Sequence, residues 1–350
     1  MRVFLISSEP YGFPEAPLLG VFQKDLKEAL LGEGHDVCML SPAGRSLKKL
    51  GAIVSGGRSG HLEGVMRNRA VNFFPRVRFI EESSFVSEGL RQFDAAVRAF
   101  GRPDIVHAHN AVYAGFLAKT IALKHGLPFV LTEHSSWILK KVYRGNFKRR
   151  IDKVYAAADA VVAVSEHLRC VMRDDYGVSD CKVIANILPT VFSALPSGGC
   201  RDHTTFINVG SLDDNKNQSE LVKAFARILP DYPEARLVLV GDGPARNSLG
   251  SLVRTLRLEA AVSFRGRVTR LVETFGVVVI EALASGLPVI ATPCGGPEAI
   301  IEPGINGLFA QGTGSEDIYQ AMLKFMRVRD TFDRKAIADN ARRQYSPKEV

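Results

Sequence analysis

Two carboxylates, Glu273 and Glu281, stand eight residues apart in Glu-Thr-Phe-Gly-Val-Val-Val-Ile-Glu, and Ala-Leu-Ala-Ser-Gly follows. The run Val277–Ile280 has the composition of a buried strand, yet Thr274 as N-cap and Gly286 as C′ residue bracket about three helical turns. On a helix the two carboxylates would lie about 12 Å apart along the axis. That is too far for one acid/base pair, but it suits gripping two sugars of one extended ligand. The same helix would turn the amides near Phe275, Gly276 and Val277 toward a phosphate. The plain alternative is one capping and one solvated glutamate.

Other residues have spacings that could do chemistry. Val238-Leu239-Val240 runs into Gly241-Asp242-Gly243-Pro244, where a strand, a tight turn and a helix start would leave free N–H groups for an anion, or make a purely structural turn. His107 and His109 end one apolar run and His134 follows another, in Thr132-Glu133-His134. Each is a candidate for a ligand contact or for a buried histidine bonded to backbone. His107 is expected to be structural, on the strand face opposite His109. Glu166, opening the helix after Ser165, reads equally as a contact or as a first-turn acid. Five dispersed cysteines (Cys38, Cys170, Cys181, Cys200, Cys294) include no C-x-x-C pair, so neither a zinc site nor a disulfide framework is indicated and a reducing cytoplasm is expected. The cluster Lys140, Lys141, Arg144, Lys148, Arg149 and Arg150 is either a solvated helix face or a meeting point for an anionic acceptor, such as a lipid diphosphate, or an acidic membrane surface. No aromatic-basic interleaving accompanies it, so nucleic acid is not an expected partner.

The elements that must position these residues follow from periodicity. Val3–Ser7, Val37–Leu40, Asp104–His107, Phe129–Thr132 and Ala160–Val164 read as buried strands separated by amphipathic stretches, the pattern of a parallel α/β sheet. After Asn186 a Pro, Ser and Gly-rich passage interrupts this, and a second series starts at Phe206–Gly210 and Arg236–Gly241. Two Rossmann-like domains are expected, 1–190 and 191–350, with ligands at the carboxyl ends of the strands in a cleft between them. The 350 residues are 46% hydrophobic and 23% charged, which excludes disordered and collagen-like chains. The net charge of +8 is uneven: residues 1–190 hold 26 basic and 19 acidic side chains, and 191–350 hold 19 and 18. No stretch of about 18 uncharged apolar residues is present, so at most a peripheral membrane contact is expected.

In this order the motifs resemble the retaining, two-Rossmann-domain (GT-B) glycosyltransferases of family 4. The resemblance rests on Pro17-Leu18-Leu19-Gly20 leading to Glu33-Gly34-His35, on His107-Ala108-His109, on Gly241-Asp242-Gly243-Pro244, and on Glu273 to Glu281 with the following Ala282–Thr292. It covers nearly the whole chain. It implies transfer of a sugar from a nucleotide diphosphate sugar to an acceptor hydroxyl, with retention, without a metal or other cofactor, in cell-surface polysaccharide or glycolipid synthesis. Under it the first domain takes a sugar, glycolipid or lipid-diphosphate acceptor and the second takes the nucleotide-sugar donor. Glu281 would accept from the ribose hydroxyls, Glu273 would bind the donor sugar, and the amides of Thr274, Phe275 and Gly276 would hold the diphosphate. Lys216, in Asp213-Asp214-Asn215-Lys216-Asn217, would sit on the diphosphate. Gly20 would admit backbone close to the phosphates, His109 would contact donor sugar or acceptor, and His134 would be an acceptor or sugar contact.

Two departures leave alternatives open. Ser211 stands where the family often has Arg, so one cation of the donor site is absent. Gly266–Arg270 also adjoins Leu271–Glu273 directly, where similar proteins carry a further helix and strand. The expectation is that such a unit is missing there, with no peptide bond between Arg270 and Leu271, and that a last helix is missing after Val350. A catalytically inactive nucleotide-sugar-binding or scaffold protein, or a sugar-nucleotide epimerase of the same architecture, is the alternative.

Overall fold

The computed structural model describes residues 1–9, 21–43, 45–46, 64–67, 71–72, 78–192, 203–266 and 277–350. Gly20, Glu273, Thr274, Phe275 and Gly276 lie outside the described residues, as do Arg270 and Leu271, where the interruption was expected. The contacts divide the chain into two compact units, Met1–Ile187 and Leu188–Val350.

The first unit is a parallel sheet of β1 (Arg2–Ser7), β2 (Asp36–Ser41), β3 (Val65–Arg67), β4 (Ile105–His109), β5 (Phe129–Glu133), β6 (Ala160–Ala163) and β7 (Lys182–Val183). Their order is β3-β2-β1-β4-β5-β6-β7, the strand order of a doubly wound nucleotide-binding fold. A further short pair joins Arg45–Ser46 to Val71–Asn72. Central strands are covered on both faces, which is why they read as unbroken apolar runs: Phe4, Leu5 and Ile6 are fully buried, as are Phe129 and Leu131. Helices α1 (Val21–Gly32), α2 (Arg78–Phe100), α3 (Phe116–His125), α4 (Gly145–Tyr155) and α5 (Glu166–Tyr176) connect them. Helix ends follow local chemistry. Gly126 and Gly177 stop α3 and α5 in the left-handed region at φ 59° and 70°, and Ser165 caps α5 by accepting from the Leu168 amide.

The second unit repeats the plan with β8 (Thr205–Val209), β9 (Arg236–Val240) and β10 (Val262–Gly266) in the parallel order β8-β9-β10, and β11 (Val289–Ala291) paired with β12 (Gly307–Phe309). Helices α6 (Gln218–Ile228), α7 (Arg246–Thr255), α8 (Val277–Ala284), α9 (Ser315–Val328) and α10 (Arg334–Gln344) complete it. Its core gathers Phe225, Ile228, Leu237, Leu239 and Met322. Among the described strands β8 pairs with β9 alone, and Ile207 in its middle is 54% exposed. The corresponding strand of the first unit, β1, pairs on both sides. Among the described residues no helix is long and apolar enough to cross a membrane.

Candidate active site

Strand β1 ends at Ser7 directly beside His109, the last residue of β4, and His109 lies level with Thr132 of β5. This register brings the strand-end histidines together. The His109 and His134 rings stack at 5.2 Å, and Nδ1 of His109 is 3.0 Å from Nε2 of His134 in a hydrogen bond. On its other side His134 stacks against Phe22 of α1, ring to ring at 5.3 Å with planes 13° apart. His107 is not on the opposite face. Its ring stacks on His109 at 4.7 Å, because residues two apart on a strand share a face. Its structural role shows in the 2.8 Å hydrogen bond between its Nε2 and Thr132 Oγ1.

His109 and His134 are buried and His107 is half-buried against them, which disfavours their charged forms. Burial pushes His107 down to about 4 and His134 down to about 3, and holds His109 well below its usual value with help from its two neighbours. Three neutral rings therefore line the end of the sheet at neutral pH. Nε2 of His109 is buried with no hydrogen-bond partner among the described residues.

The turn after β4 is held in an unusual shape. Asn110 and Tyr113 adopt φ 74° and 64°, conformations that are costly for residues with a side chain. Hydrogen bonds compensate. The Ala111 amide donates to Glu133 Oε2, the Ala114 amide donates to Ser8 Oγ, and Ser8 Oγ donates to the His109 carbonyl. The Asn110 side chain accepts from the His134 amide, tying the two histidine-bearing loops together. Glu133 also accepts from the Ser135 amide and the Tyr155 hydroxyl. Burial raises its carboxyl above the usual range, against the lowering effect of these donors. Phe22, Ser8, Asn110 and Glu133 were not singled out from sequence as parts of this arrangement. Only the adjacency of Glu133 to His134 offered a signal.

In the second unit, Ser211, Lys216, Gly241 and Gly243 share the carboxyl end of β8 and β9. The Leu212 amide donates to the Asp242 carbonyl and the Ala245 amide to the Leu212 carbonyl, so the two strand-to-helix loops are stitched together. Both glycines are required by that approach. A Cβ on Gly241 would stand 1.8 Å from the Gly210 carbonyl oxygen, and one on Gly243 2.4 Å from the Leu212 carbonyl oxygen. The expected free amides at these glycines are not found. Gly241 donates to the Gly266 carbonyl at the end of β10, and Gly243 to the side chain of the preceding Asp242.

Lys216 closes a 3₁₀ turn, Asp214–Lys216, capped by the Asp213 side chain, and is exposed, as is Ser211. The Gln218 amide group donates to the Ser211 carbonyl. Glu281 lies on α8, not on a strand, and at 6% exposure it is buried, which excludes a solvated surface glutamate. Gly286 ends α8 at φ 69°, with the Leu287 amide reaching back to the Ala282 carbonyl. Glu166 is exposed and paired with Arg169, an ordinary helix-start acid.

The basic cluster is partly neutralised. Lys141 pairs with Asp175 at 2.7 Å, Lys148 with Asp152 at 3.0 Å, and Arg150 with Glu82. Among the described residues no group of three or more His, Cys, Asp or Glu is arranged to hold a metal ion.

Two parallel α/β units with polar residues gathered at the strand ends define the GT-B class of fold. Solved structures share it across 99% of this chain. Sucrose-phosphate synthase from Thermosynechococcus elongatus matches with TM-score 0.70, 20% identity and 98% of that chain covered. HepE of Anabaena in complex with UDP matches with TM-score 0.70, 18% identity and 96% covered. Residues 19–190 match the profile of Glycosyltransferase Family 4, and residues 203–327 that of Glycosyl transferases group 1. The chain belongs to glycosyltransferase family 4. Among curated relatives, an uncharacterized glycosyltransferase of Methanocaldococcus jannaschii is 35% identical over 30% of this chain and 30% of its own length. N-acetyl-alpha-D-glucosaminyl L-malate synthase of Bacillus anthracis is 32% identical over 30% of this chain and 31% of its own. The chain thus spans about a third of the length of these two relatives. D-inositol 3-phosphate glycosyltransferase of Streptosporangium roseum is 27% identical over 65% of this chain and 62% of its own.

Proposed function

We propose that this protein is a glycosyltransferase that moves a sugar from a nucleotide diphosphate sugar to an acceptor hydroxyl with retention of configuration, in cell-surface polysaccharide or glycolipid synthesis. The observation that carries this reading is the buried Nε2 of His109 at the end of β4, which has no hydrogen-bond partner among the described residues. Leaving such a nitrogen unpaired costs about 1–3 kcal/mol, which a ligand hydroxyl would recover. Because the ring is neutral, it orients that hydroxyl by hydrogen bonding and brings no charge of its own. The His134 hydrogen bond to Nδ1 holds the ring in place.

On this reading the first unit binds the acceptor and the second the donor. Glu281 holds the ribose, Lys216 stabilises the charge that develops on the departing diphosphate, and Glu273 with the amides of 274–276 holds the donor sugar and phosphates. The diphosphate leaves, positive charge builds at the anomeric carbon, and the acceptor hydroxyl attacks the same face and passes its proton to the leaving phosphate. No metal or other cofactor is invoked, and we place the reaction in the cytoplasm. Similarity to HepE, whose structure was determined with UDP, supports a uridine nucleotide as the first donor to try.

The test is a thermal-shift panel of UDP, GDP and ADP sugars followed by transfer assays with chelator present. A ligand at 100 times its Kd should add about 2.7 kcal/mol of stability. Glu281→Ala should weaken nucleotide binding, and Lys216→Ala should lower turnover by about 100-fold. Unchanged transfer in both variants would overturn the site assignment. Ser211 in the slot where the family often has Arg favours a second reading, an inactive nucleotide-sugar-binding protein. Saturable binding with neither transfer nor donor hydrolysis would select it.

A further inference from the structure

The single tryptophan of the chain, Trp137, is 59% exposed, and Val142 nearby is 42% exposed. Both sit on the segment between β5 and α4, whose backbone is anchored from below by Ile138, fully buried, and Tyr143, 9% exposed. The segment 137–153 holds seven Lys and Arg against one Asp, most of the chain's net charge of +8. Lys141, Lys148 and Arg150 are committed to Asp175, Asp152 and Glu82. Lys140, Arg144, Arg149 and Lys153 have no carboxylate partner among the described residues. A solvated helix face has no use for an exposed indole and an exposed valine. An apolar tip flanked by uncommitted cations does match one surface, an anionic bilayer, where indoles settle at headgroup level and basic side chains meet acidic lipid.

We propose that segment 137–153 docks the protein on an anionic lipid bilayer, with Trp137 and Val142 entering the headgroup layer and Lys140, Arg144, Arg149 and Lys153 facing the lipid phosphates. The segment begins three residues after His134, so docking would hold the histidine cluster close to the bilayer. The proposal does not rest on the transferase reading, since it needs neither donor nor turnover.

Trp137 is its own reporter. Vesicles of phosphatidylcholine with about 30 mol% phosphatidylglycerol should shift its emission to the blue and carry the full chain into the pellet on centrifugation. About 0.5 M salt should reverse both effects, and pure phosphatidylcholine vesicles should produce neither. Each basic residue near an anionic surface is worth about fivefold in partitioning, so Lys140→Glu, Arg144→Glu and Arg149→Glu together should lower it by at least about 100-fold. The corresponding Gln triple variant serves if the Glu triple variant loses its circular-dichroism signature, and it too should lose binding. Trp137→Ala should weaken pelleting while leaving its salt dependence. Unshifted emission with the protein in the supernatant at low salt overturns the proposal, as does pelleting of the folded triple variants at the wild-type level. An equal shift with inorganic phosphate or a free hexose, without vesicles, assigns the indole to small-ligand binding and also overturns it.

Discussion

At His107, His109 and His134 burial decides protonation, and the consequence can be read in stability. The unfolded chain takes up protons at these positions as pH falls through about 6.5, while the native rings stay neutral down to about 4 at His107 and about 3 at His134. Their contribution is therefore complete above about pH 6.5 and is lost as pH falls toward those values. Asp25 and Glu133 act with the opposite sign. Burial raises Asp25 to about 6 and raises Glu133 as well, so their contribution is present below the ordinary carboxylate range and lost as pH rises through the folded value. His107→Gln keeps a hydrogen-bonding group near Thr132 and removes one titration. Its Tm should fall less than that of the wild type between about pH 7 and about pH 5; equal falls in both proteins would count against a neutral His107. The three histidines were legible in sequence as residues at strand ends. Their mutual contact was not, because it depends on β4 and β5 being neighbours in register.

The loops of the second unit show how an element-level feature can look like a binding motif. Gly241-Asp242-Gly243-Pro244 has the composition of an anion-binding turn, but its two glycine amides are already bonded and its glycines serve the contact with residues 210–212. Gly241 also adopts φ 142°. Gly241→Ala should therefore destabilise the second unit by about 2–4 kcal/mol in urea unfolding, with the first unit's transition unmoved. A loss of nucleotide affinity with unchanged stability would instead point to direct phosphate contact. Composition also left the run Val277–Ile280 open between strand and helix. Burial of Val277, Ile280 and Glu281 on α8 explains the ambiguity, since a short helix with little exposed surface carries the same apolar run as a central strand.

Among the described residues the first unit has a core around Phe4 and Phe129 with a smaller cluster of Val3, Leu5, Val37, Met39 and Val65, and the second unit has one around Phe225 and Leu237. Phe4 and Phe225 are both fully buried, so truncating either to Ala should cost about 3–5 kcal/mol. In calorimetry Phe4→Ala should lower one unfolding transition and Phe225→Ala another; a single transition lowered equally by both would show that the cores unfold as one. The alternation of apolar runs and amphipathic stretches was enough to specify two parallel α/β series and seven of their strands, though not β3, β7 or β10 to β12, and motifs contiguous in the chain specified the family. Tertiary structure alone decided which imidazoles touch, which loop amides are bonded and which cations of 137–153 are already paired. Each of those depends on groups far apart in sequence arriving within a few ångströms, and no local pattern of residue types encodes that distance.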